Sequence, residues 1–378
     1  MNQTYVMPVP PFPLDPAQEA KLQGRLSGFK SGYDEGYLRG RLAILDGRPE
    51  EPLPVRDLHV MYVASGKGYP YSPLDEAVLA ALQTLTTRVT VTDVRQNLVE
   101  LAGRERPELI FVLDGMDLPL EQVDALRASG IRTAIWLTDD PYYTDFTMKI
   151  VSHYDYVFTL ERNCIEFYRQ LGCREVHYLP FAAFRPHYRP TLTRSPIRRD
   201  VSFIGSAYWN RVHFFRGIMP QLMEFNTVIN GIWWDRLPEA PLYGERIEIG
   251  KWMSPQETAA AYSGSKVVLN VHRSHIDDVV NNNTLQIPAA SPNPRTFEIA
   301  ATGTVQLIDS REDIATFYTP GEEIDTFASP EEMLDKIRFY LTHEEERRNM
   351  AIKAMERTLR DHTYTKRIHQ ALTIIYGE

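Results

Sequence analysis

Short apolar runs alternate with amphipathic segments from Leu58 onward, and this alternation limits the folds open to the chain more than any other feature. The first series of apolar runs is LHVMYVA, RVTVTDV, LIFVLD, TAIWLTD, YVFTLE and VHYLP. Segments between them, such as SPLDEAVLAALQTL and EQVDALRASG, carry apolar residues at the three- and four-residue spacing of helices. Strands that alternate with helices predict an α/β fold with a parallel, doubly wound sheet.

A second series follows the Pro- and Arg-rich segment RPHYRPTLTRSPIRRD, with strands predicted in DVSFIGS, FNTVING, SKVVLNVH and TVQLID. Helices are predicted in NRVHFFRGIMPQLMEF, SPQETAAAYSG and TFEIAATG. The 378 residues, 43% of them hydrophobic, suffice for two cores of ordinary domain size. We predict an N-terminal extension (1–55), an α/β domain (56–185), a linker (186–200), a second α/β domain (201–355) and a final helix (356–378). Two such domains form a cleft at the carboxyl ends of their strands.

Charge and composition exclude several classes of function. The formal net charge of −9 argues against a protein that holds a nucleic-acid backbone, because such binding needs clustered positive charge. No apolar stretch approaches the roughly 20 residues of a membrane helix, and no signal peptide is visible, so we expect a cytoplasmic protein without a membrane span. Cys164 and Cys173 lack metal-ligand spacing, so no metal site is expected.

Glycine recurs at every fourth position near the N-terminus, at Gly24, Gly28, Gly32, Gly36 and Gly40. Each glycine costs an isolated helix about 1 kcal/mol, which a close approach of another backbone or ring would offset. A packed N-terminal helix or a partly ordered extension is one interpretation. A homo-oligomer formed through this glycine-stripe helix is the other, whereas the charged residues among the glycines exclude a membrane dimer.

Candidate site residues of the N-terminal half follow its predicted strands. Gly66 lies in SGKG after the first strand, where glycine permits a tight turn and close approach of a ligand to the backbone, although a plain connecting loop fits equally. Asp139 and Asp140 follow TAIWL. One of them can act as a general base, its pKa raised by its neighbour's charge, and one can cap the next helix. Adjacent carboxylates are not the spacing of a metal-diphosphate site.

Two segments of the C-terminal half suit a nucleotide. In DVSFIGSAYWNR, Gly205 and Ser206 follow a strand and Arg211 opens a helix, an arrangement that favours a diphosphate. In PNPRTFEIAATGTVQLID, Arg295 and Glu298 stand at the head of a short helix, where the arginine can meet phosphate and the carboxylate can accept ribose hydroxyls. The alternatives are a loop glycine with a solvated arginine, and a local pair that caps the helix.

The segments WLTDDPY, YDYVFTLERNCIEFYRQLGCREVHYLPFA, DVSFIGS and RTFEIAATGTVQLID, in this order, resemble the CgeB-like, spore-maturation-type glycosyltransferases. These are relatives of the GT-B class with glycosyltransferase family 1 signatures, and the resemblance covers roughly residues 58 to 378. It implies two Rossmann-like domains facing a cleft, with a nucleotide-sugar donor in the C-terminal domain and an unidentified acceptor. It also implies that no metal is bound and that HTYTKRIHQALTIIYGE forms a helix that returns to the N-terminal domain.

The resemblance also assigns roles to single residues. Positive groups from Arg211, Lys266, Arg295 and the pair His272 and Arg273, which ends the VVLNVHR strand, would stabilise the leaving diphosphate. A surface His and Arg pair is the ordinary alternative.

Two positions depart from the pattern of the class. Asp139 stands where GT-B enzymes often carry a sugar-facing histidine in a Thr-His-Asp-like tripeptide. Glu298 matches the second of two glutamates separated by seven residues, but Ala290 stands in the first position. The departures leave the stereochemical outcome and the catalytic role of Asp139 open.

Two other functions fit the same pattern. Nucleotide-sugar epimerases use a double α/β architecture with a nucleotide cleft, and sugar transfer to an added acceptor would separate the two activities. A non-catalytic coat or envelope component that kept the fold would bind no nucleotide sugar at all.

Overall fold

A computed structural model describes residues 15–193, 197–250, 252–277 and 279–377, apart from the side chain at position 31. The chain divides into two compact units, Met1–Gly47 and Arg48–Glu378. Residues 1–14 of the predicted extension, 1–55, lie outside the described residues. In the described parts of the chain no helix is long and apolar enough to cross a membrane.

The described part of the first unit, from Asp15 onward, forms helix α1, Pro16–Asp46. The side chain of Asp15 accepts a hydrogen bond from the backbone N–H of Gln18, and Oε1 of Gln18 accepts one from the backbone N–H of Asp15, so the helix starts with a capping box. Glu35 and Arg39 form an ion pair one turn apart at 2.8 Å. The whole glycine stripe lies within this helix. Self-association through the helix remains a prediction.

The N-terminal half of the second unit is a six-stranded sheet with helices between its strands. Its strands are β1 Arg56–Ala64, β2 Thr86–Asp93, β3 Leu109–Leu113, β4 Arg132–Trp136, β5 Tyr156–Thr159 and β6 Glu175–Tyr178. Its helices are α2 Ser72–Leu85, α3 Leu98–Glu105, α4 Leu120–Ala128, α5 Thr144–Ile150 and α6 Cys164–Gln170. All strands are parallel in the order β2-β1-β3-β4-β5-β6. The chain order reverses between β1 and β3, which is where such sheets open a ligand crevice.

The C-terminal half repeats this plan. Its strands are β7 Arg199–Ile204, β8 Thr227–Gly231, β9 Ile247–Ile249, β10 Ser265–Asn270, β11 Val305–Asp309 and β12 Asp325–Phe327. Its helices are α7 Trp209–Arg216, α8 Met219–Leu222, α9 Pro255–Ser263, α10 Arg295–Ala301, α11 Ile314–Phe317, α12 Pro330–Thr342, α13 Glu344–Asp361 and α14 Tyr364–Tyr376. All strands are parallel in the order β12-β11-β10-β7-β8-β9, so the chain order reverses between β7 and β10.

The structure confirms the predicted α/β class and differs from the predicted elements in detail. Strands β9 and β12 escaped prediction because each has three residues and lies at a sheet edge, too short to show a period. The single helix predicted in NRVHFFRGIMPQLMEF is wrong. The chain breaks it into α7 and α8, because Pro220 has no N–H and its ring would clash with the carbonyl of Arg216 in a continuous helix.

Residues of β1 show how both faces of the first sheet are buried. Val60 and Tyr62 point into a core shared with α2 and α14, whereas Met61 and Val63 point into a core shared with α3 and α4. Burial on both faces explains the nearly continuous apolar runs of the sequence.

The last helix, α14, crosses back to the first sheet, as the resemblance implied. Its residues Ile368, Leu372 and Ile375 lie in the core under α2, although α13 before it packs against α10 and β11 of the other half. Each fully buried side chain of this size stabilises the fold by about 1.5 to 3 kcal/mol. The two halves are thus joined through the core as well as through the chain, and the GT-B architecture is confirmed.

Candidate functional site

Asp139 lies three residues after β4, at the cleft edge of the first sheet. Its Oδ2 accepts a hydrogen bond from Tyr71 Oη at 3.0 Å and lies 2.9 Å from Thr138 Oγ1. Burial raises the pKa of Asp139, and the cation of Arg273 from the other half acts in the opposite direction. A carboxylate with a raised pKa at a cleft edge is suited to accept a proton.

Asp140 has a different environment, and its predicted helix-capping role is wrong. Its carboxylate is only 5% exposed and accepts hydrogen bonds from Thr159 Oγ1 at 2.6 Å, Tyr168 Oη at 2.8 Å and Thr147 Oγ1 at 3.5 Å. No side chain caps α5. Burial raises the pKa of Asp140 to about 6. These partners come from β5, α6 and α5, so Asp140 ties three elements together beneath the site.

Two charged residues at the reversal point of the first sheet were not among the predicted site residues. Lys67 follows β1 next to Gly66, and its Nζ lies 2.6 Å from Oδ2 of Asp114, which follows β3 and is 1% exposed. Gly66 has φ +71°, which favours glycine. Thr138 Oγ1 lies 2.6 Å from Oδ1 of Asp114, so this pair is directly connected to the neighbourhood of Asp139.

Arg211 and Arg295 lie side by side at the reversal point of the second sheet. Nε of Arg211 and Nη2 of Arg295 both donate to the carbonyl of Val271, at 2.9 and 3.3 Å. Nη1 of Arg211 donates to the carbonyl of Ser206 at 2.9 Å, and Nη1 of Arg295 donates to that of Ile204 at 2.7 Å. Neither guanidinium forms a salt bridge within the described residues. Two adjacent cations without a carboxylate partner favour an anionic ligand.

Gly205 makes this arrangement possible because it has no side chain. A Cβ built there would lie closer to Nη1 of Arg295 than non-bonded atoms can approach, and 3.1 Å from Nη1 of Arg211. We expect Gly205→Ala to preserve the fold but displace the flexible end of Arg295, weakening nucleotide affinity by about 1 to 3 kcal/mol, as for loss of a charge-assisted hydrogen bond. Calorimetric titration would measure this.

The matched control is Gly103→Ala, since no atom lies within 4 Å of a Cβ built on Gly103 in α3. Equal affinity in the two glycine variants would show that the position of Arg295 does not matter for binding.

His272 follows β10 but is 1% exposed, and both ring nitrogens have protein partners. Nδ1 lies 2.5 Å from Oδ1 of Asp309, and Nε2 accepts the backbone N–H of Asn293 at 3.0 Å. Burial lowers the pKa of His272 to about 4, so the ring is neutral at pH 7. In this geometry the imidazole positions the segment before α10, and its contact with a donor stays a prediction.

Arg273 extends from the second half to the first. Its guanidinium carbon lies 4.4 Å from the ring centroids of both Tyr142 and Tyr208, and its Nη2 donates to the carbonyl of Val280 at 3.0 Å. The hydroxyl of Tyr142 donates to the carbonyl of Arg273 at 3.1 Å. The Nε of Arg273 is buried and has no hydrogen-bond partner among the described residues. Arg273 is therefore held between two aromatic rings, with a donor still available.

Glu298 is the fourth residue of α10, on the cleft side of that helix. Burial raises its pKa to about 7, while Arg295 and the hydroxyl of Tyr188 favour the ionised form. Its charge also helps to raise the pKa of Tyr69, which lies in the loop after β1 of the other half. The hydroxyl of Tyr69 donates to the carbonyl of Met253, so this loop reaches across the cleft to the second half.

Glu161 is a further residue that sequence reasoning missed as part of the site. It follows β5, is 2% exposed, and its Oε2 accepts the backbone N–H groups of Ala290 and Ser291 at 2.9 and 3.0 Å. Burial raises its pKa to about 7. A carboxylate of the first half thus lies against Ala290, where the resemblance expects a glutamate. The acidic residue at the end of YVFTLE was the available signal.

The predicted role of Lys266 at the diphosphate is wrong. Lys266 is the second residue of β10, at the end of the sheet opposite the cleft, and its Nζ pairs with Asp200 at 2.8 Å. The structure therefore brings together Gly205, Ser206, Arg211, Arg273, Arg295 and Glu298 on one side of the cleft and Gly66 and Asp139 on the other. Within the described ranges no group of three or more His, Cys, Asp or Glu side chains is arranged to hold a metal ion.

Comparisons with known proteins bear on the family resemblance and on the fold of this chain. Residues 211–373 match the family described as glycosyl transferase-like. The spore protein CgeB of Bacillus subtilis (strain 168) is 28% identical over 325 residues, which cover 84% of this chain and all of the relative. The resemblance predicted from the motifs is thereby confirmed.

Solved structures share the fold at much lower sequence identity. HepE of Anabaena, in complex with UDP and glucose, has a TM-score of 0.60 at 12% identity, covering 85% of this chain and all of that one. A protein described as a putative UDP-N-acetylglucosamine 2-epimerase, from Listeria monocytogenes, has a TM-score of 0.53 at 11% identity, covering 85% and 96%. At these identities the likeness supports the fold alone.

Proposed function

We propose that this chain, a CgeB-like protein with a glycosyl transferase-like C-terminal region, transfers a sugar from a nucleotide-sugar donor to an acceptor hydroxyl. The observation that carries the proposal is the pair Arg211 and Arg295, held by backbone carbonyls at the reversal point of the second sheet without a salt bridge. Cations already fixed in place can stabilise the charge that develops on a leaving diphosphate.

The remaining residues of the cleft fit roles in the same reaction. Glu298 accepts ribose hydroxyls beside Arg295, and the free Nε of Arg273 adds a donor for the diphosphate. Asp139 takes the proton of the acceptor hydroxyl as the oxygen of that hydroxyl bonds to the anomeric carbon of the sugar. The bond from that carbon to the diphosphate breaks, and the nucleoside diphosphate leaves with the electron pair. The polar side-chain atoms of His272 and Asp140 already form hydrogen bonds within the protein. These two residues therefore position the two sides of the cleft.

An epimerase would use the same fold, so the architecture does not separate the two activities. The glycosyl transferase-like match and a carboxylate on the acceptor side of the cleft favour transfer. Product analysis after incubation with the bound nucleotide sugar would decide it. An epimerised nucleotide sugar, formed without an added acceptor, would contradict our proposal.

We expect a thermal-shift screen of UDP, GDP, ADP, CMP and dTDP sugars to identify one nucleotide class that raises the melting temperature. A ligand at 100 times its Kd stabilises the folded state by about 2.7 kcal/mol. The shift should persist in EDTA, because arginines rather than a metal are proposed to hold the diphosphate.

Arg295→Met should abolish this shift, whereas Arg95→Met, which removes a guanidinium from the loop after β2, should preserve it. No shift with any of the five classes would instead support a coat or envelope component without catalytic activity.

A further inference from the structure

At the edge of the first sheet, the hydroxyl oxygen of Thr138 lies within hydrogen-bond distance of two carboxylate oxygens but carries only one hydrogen. Thr138 Oγ1 lies 2.6 Å from Oδ1 of Asp114 and 2.9 Å from Oδ2 of Asp139. A hydroxyl has a single hydrogen, so Thr138 can donate to only one carboxylate at a time. The other short contact is a hydrogen bond only when that second carboxyl group carries a proton and donates it to Thr138.

Lys67 breaks the symmetry between the two carboxyl groups. Its Nζ pairs with Oδ2 of Asp114 at 2.6 Å, and Asp114 also makes the shorter of the two contacts with Thr138, 2.6 Å against 2.9 Å. Asp114 is thus the acceptor for the hydrogen of Thr138. Asp139 is then the group that gains a hydrogen bond by taking up a proton. Lys67 also lies over the ring of Tyr71, 5.0 Å from its centroid, and Tyr71 donates to Asp139.

We propose that Lys67 and Asp114 form a positioning pair that sets the charge of Asp139 through Thr138, the one hydroxyl that both carboxyl groups share. The inference rests on the proposed role of Asp139 as the base in the proposed reaction. A base that gains a hydrogen bond on protonation accepts the acceptor's proton more readily. The pair therefore acts on the reaction without touching the substrate.

The charged and titratable groups around Asp139 come from both halves. Burial raises the pKa of Asp139 most, and the charge of Asp114 adds to the rise. The hydroxyl of Tyr71, that of Thr138 whenever it turns to Asp139, and the cation of Arg273 oppose it. The charge of Asp139 in turn helps to raise the pKa of the adjacent Asp140.

The test is an infrared titration of the full-length protein without ligand. The carbonyl stretch of the protonated Asp139 carboxyl group is assigned as the band that disappears in Asp139→Asn, and its midpoint is followed with pH. Asp114→Asn removes a neighbouring negative charge and frees Thr138 for Asp139, so we expect the midpoint to fall by about one pH unit. Lys67→Met removes the cation and leaves the negative charge of Asp114 uncompensated near Asp139, so the midpoint should rise by about one pH unit.

Two controls separate this mechanism from general loosening of the fold. Lys67→Arg keeps the cation and should retain the wild-type midpoint. Arg95→Met removes a more exposed ion pair, with Asp93 at 2.7 Å at the end of the neighbouring strand β2, and should leave the midpoint unchanged. Thermal melting confirms that each variant is folded. Because Asp114→Asn and Lys67→Met should shift the midpoint in opposite directions, the test does not depend on one variant alone.

Midpoints that move in the same direction in Asp114→Asn and Lys67→Met, or that do not move, would overturn the proposal. The titration needs no turnover, so its result does not depend on transferase activity. If the protein transfers sugar, the acid limb of the kcat/KM profile should follow the infrared midpoints. Infrared shifts in a protein that transfers no sugar would uphold the pair while contradicting the proposed function.

Discussion

Asp139→Asn is expected to lower turnover by about a hundredfold or more while leaving nucleotide affinity nearly unchanged. General-base catalysis typically contributes a factor of about 10² to 10⁴, and an amide cannot take up the acceptor's proton. Asp139 also lies on the opposite side of the cleft from Arg211 and Arg295, which are proposed to hold the donor. Single-turnover rates at saturating donor, with affinity measured by calorimetry, would check both parts of this prediction.

Asp140→Asn provides the contrast, because the two carboxylates are adjacent but have different surroundings. Asp140 is buried among three hydroxyl donors, so its replacement should lower the melting temperature, at a cost of about 1 to 3 kcal/mol. The folded fraction of this variant should keep most of its turnover. Near-normal single-turnover rates in Asp139→Asn would remove the catalytic role and leave Asp139 as a structural residue.

Glu298→Gln is expected to weaken binding of the nucleotide sugar by about 1 to 3 kcal/mol, the usual effect of losing a charge-assisted hydrogen bond. The pKa of Glu298 is raised to about 7, so the carboxylate is ionised above pH 7 and protonated below it. If the ionised form binds ribose, wild-type affinity should fall about tenfold from pH 8 to pH 6. Glu298→Gln should show no such dependence.

The pH series is best measured with an intact nucleotide sugar, because its diphosphate is esterified at both ends. Free nucleoside diphosphates carry a terminal phosphate that titrates near pH 6 and would obscure the effect. A control is Glu331→Gln, which alters an exposed glutamate near the start of α12. Unchanged affinity in both Glu298→Gln and Arg295→Ala would reduce these residues to a structural role at the end of α10.

The pattern of the sequence was sufficient for most of the fold. Runs such as LIFVL and TAIWL are buried on both sides of a parallel sheet, so their apolar character is continuous and easy to read. The three-residue strands β9 and β12 lacked that signal because they are short edge strands. The break between α7 and α8 was predictable from Pro220, whose ring is incompatible with a continuous helix.

Arg211 and Arg295 were also accessible from the sequence as candidate residues, since both lie in the first turn of a helix. Their adjacency was not accessible. The two residues are 84 positions apart in the chain and meet only because β7 and β10 are neighbours in the sheet. The need for glycine at position 205 follows from the same geometry, because the two guanidinium groups occupy the space that a side chain would fill.

The sequence by itself determined the two α/β series, because these depend on local periodicity, and it showed which kinds of side chain follow the strands; the crossing of the last helix came from the resemblance. Only the tertiary structure decided which of those side chains lie close enough to form ion pairs or hydrogen bonds with one another. Lys67 and Asp114 follow different strands, and their importance depends on the order in which β1, β3 and β4 lie side by side. That order is a property of the assembled sheet, since burial and distance, rather than residue type, set the energy of a charge.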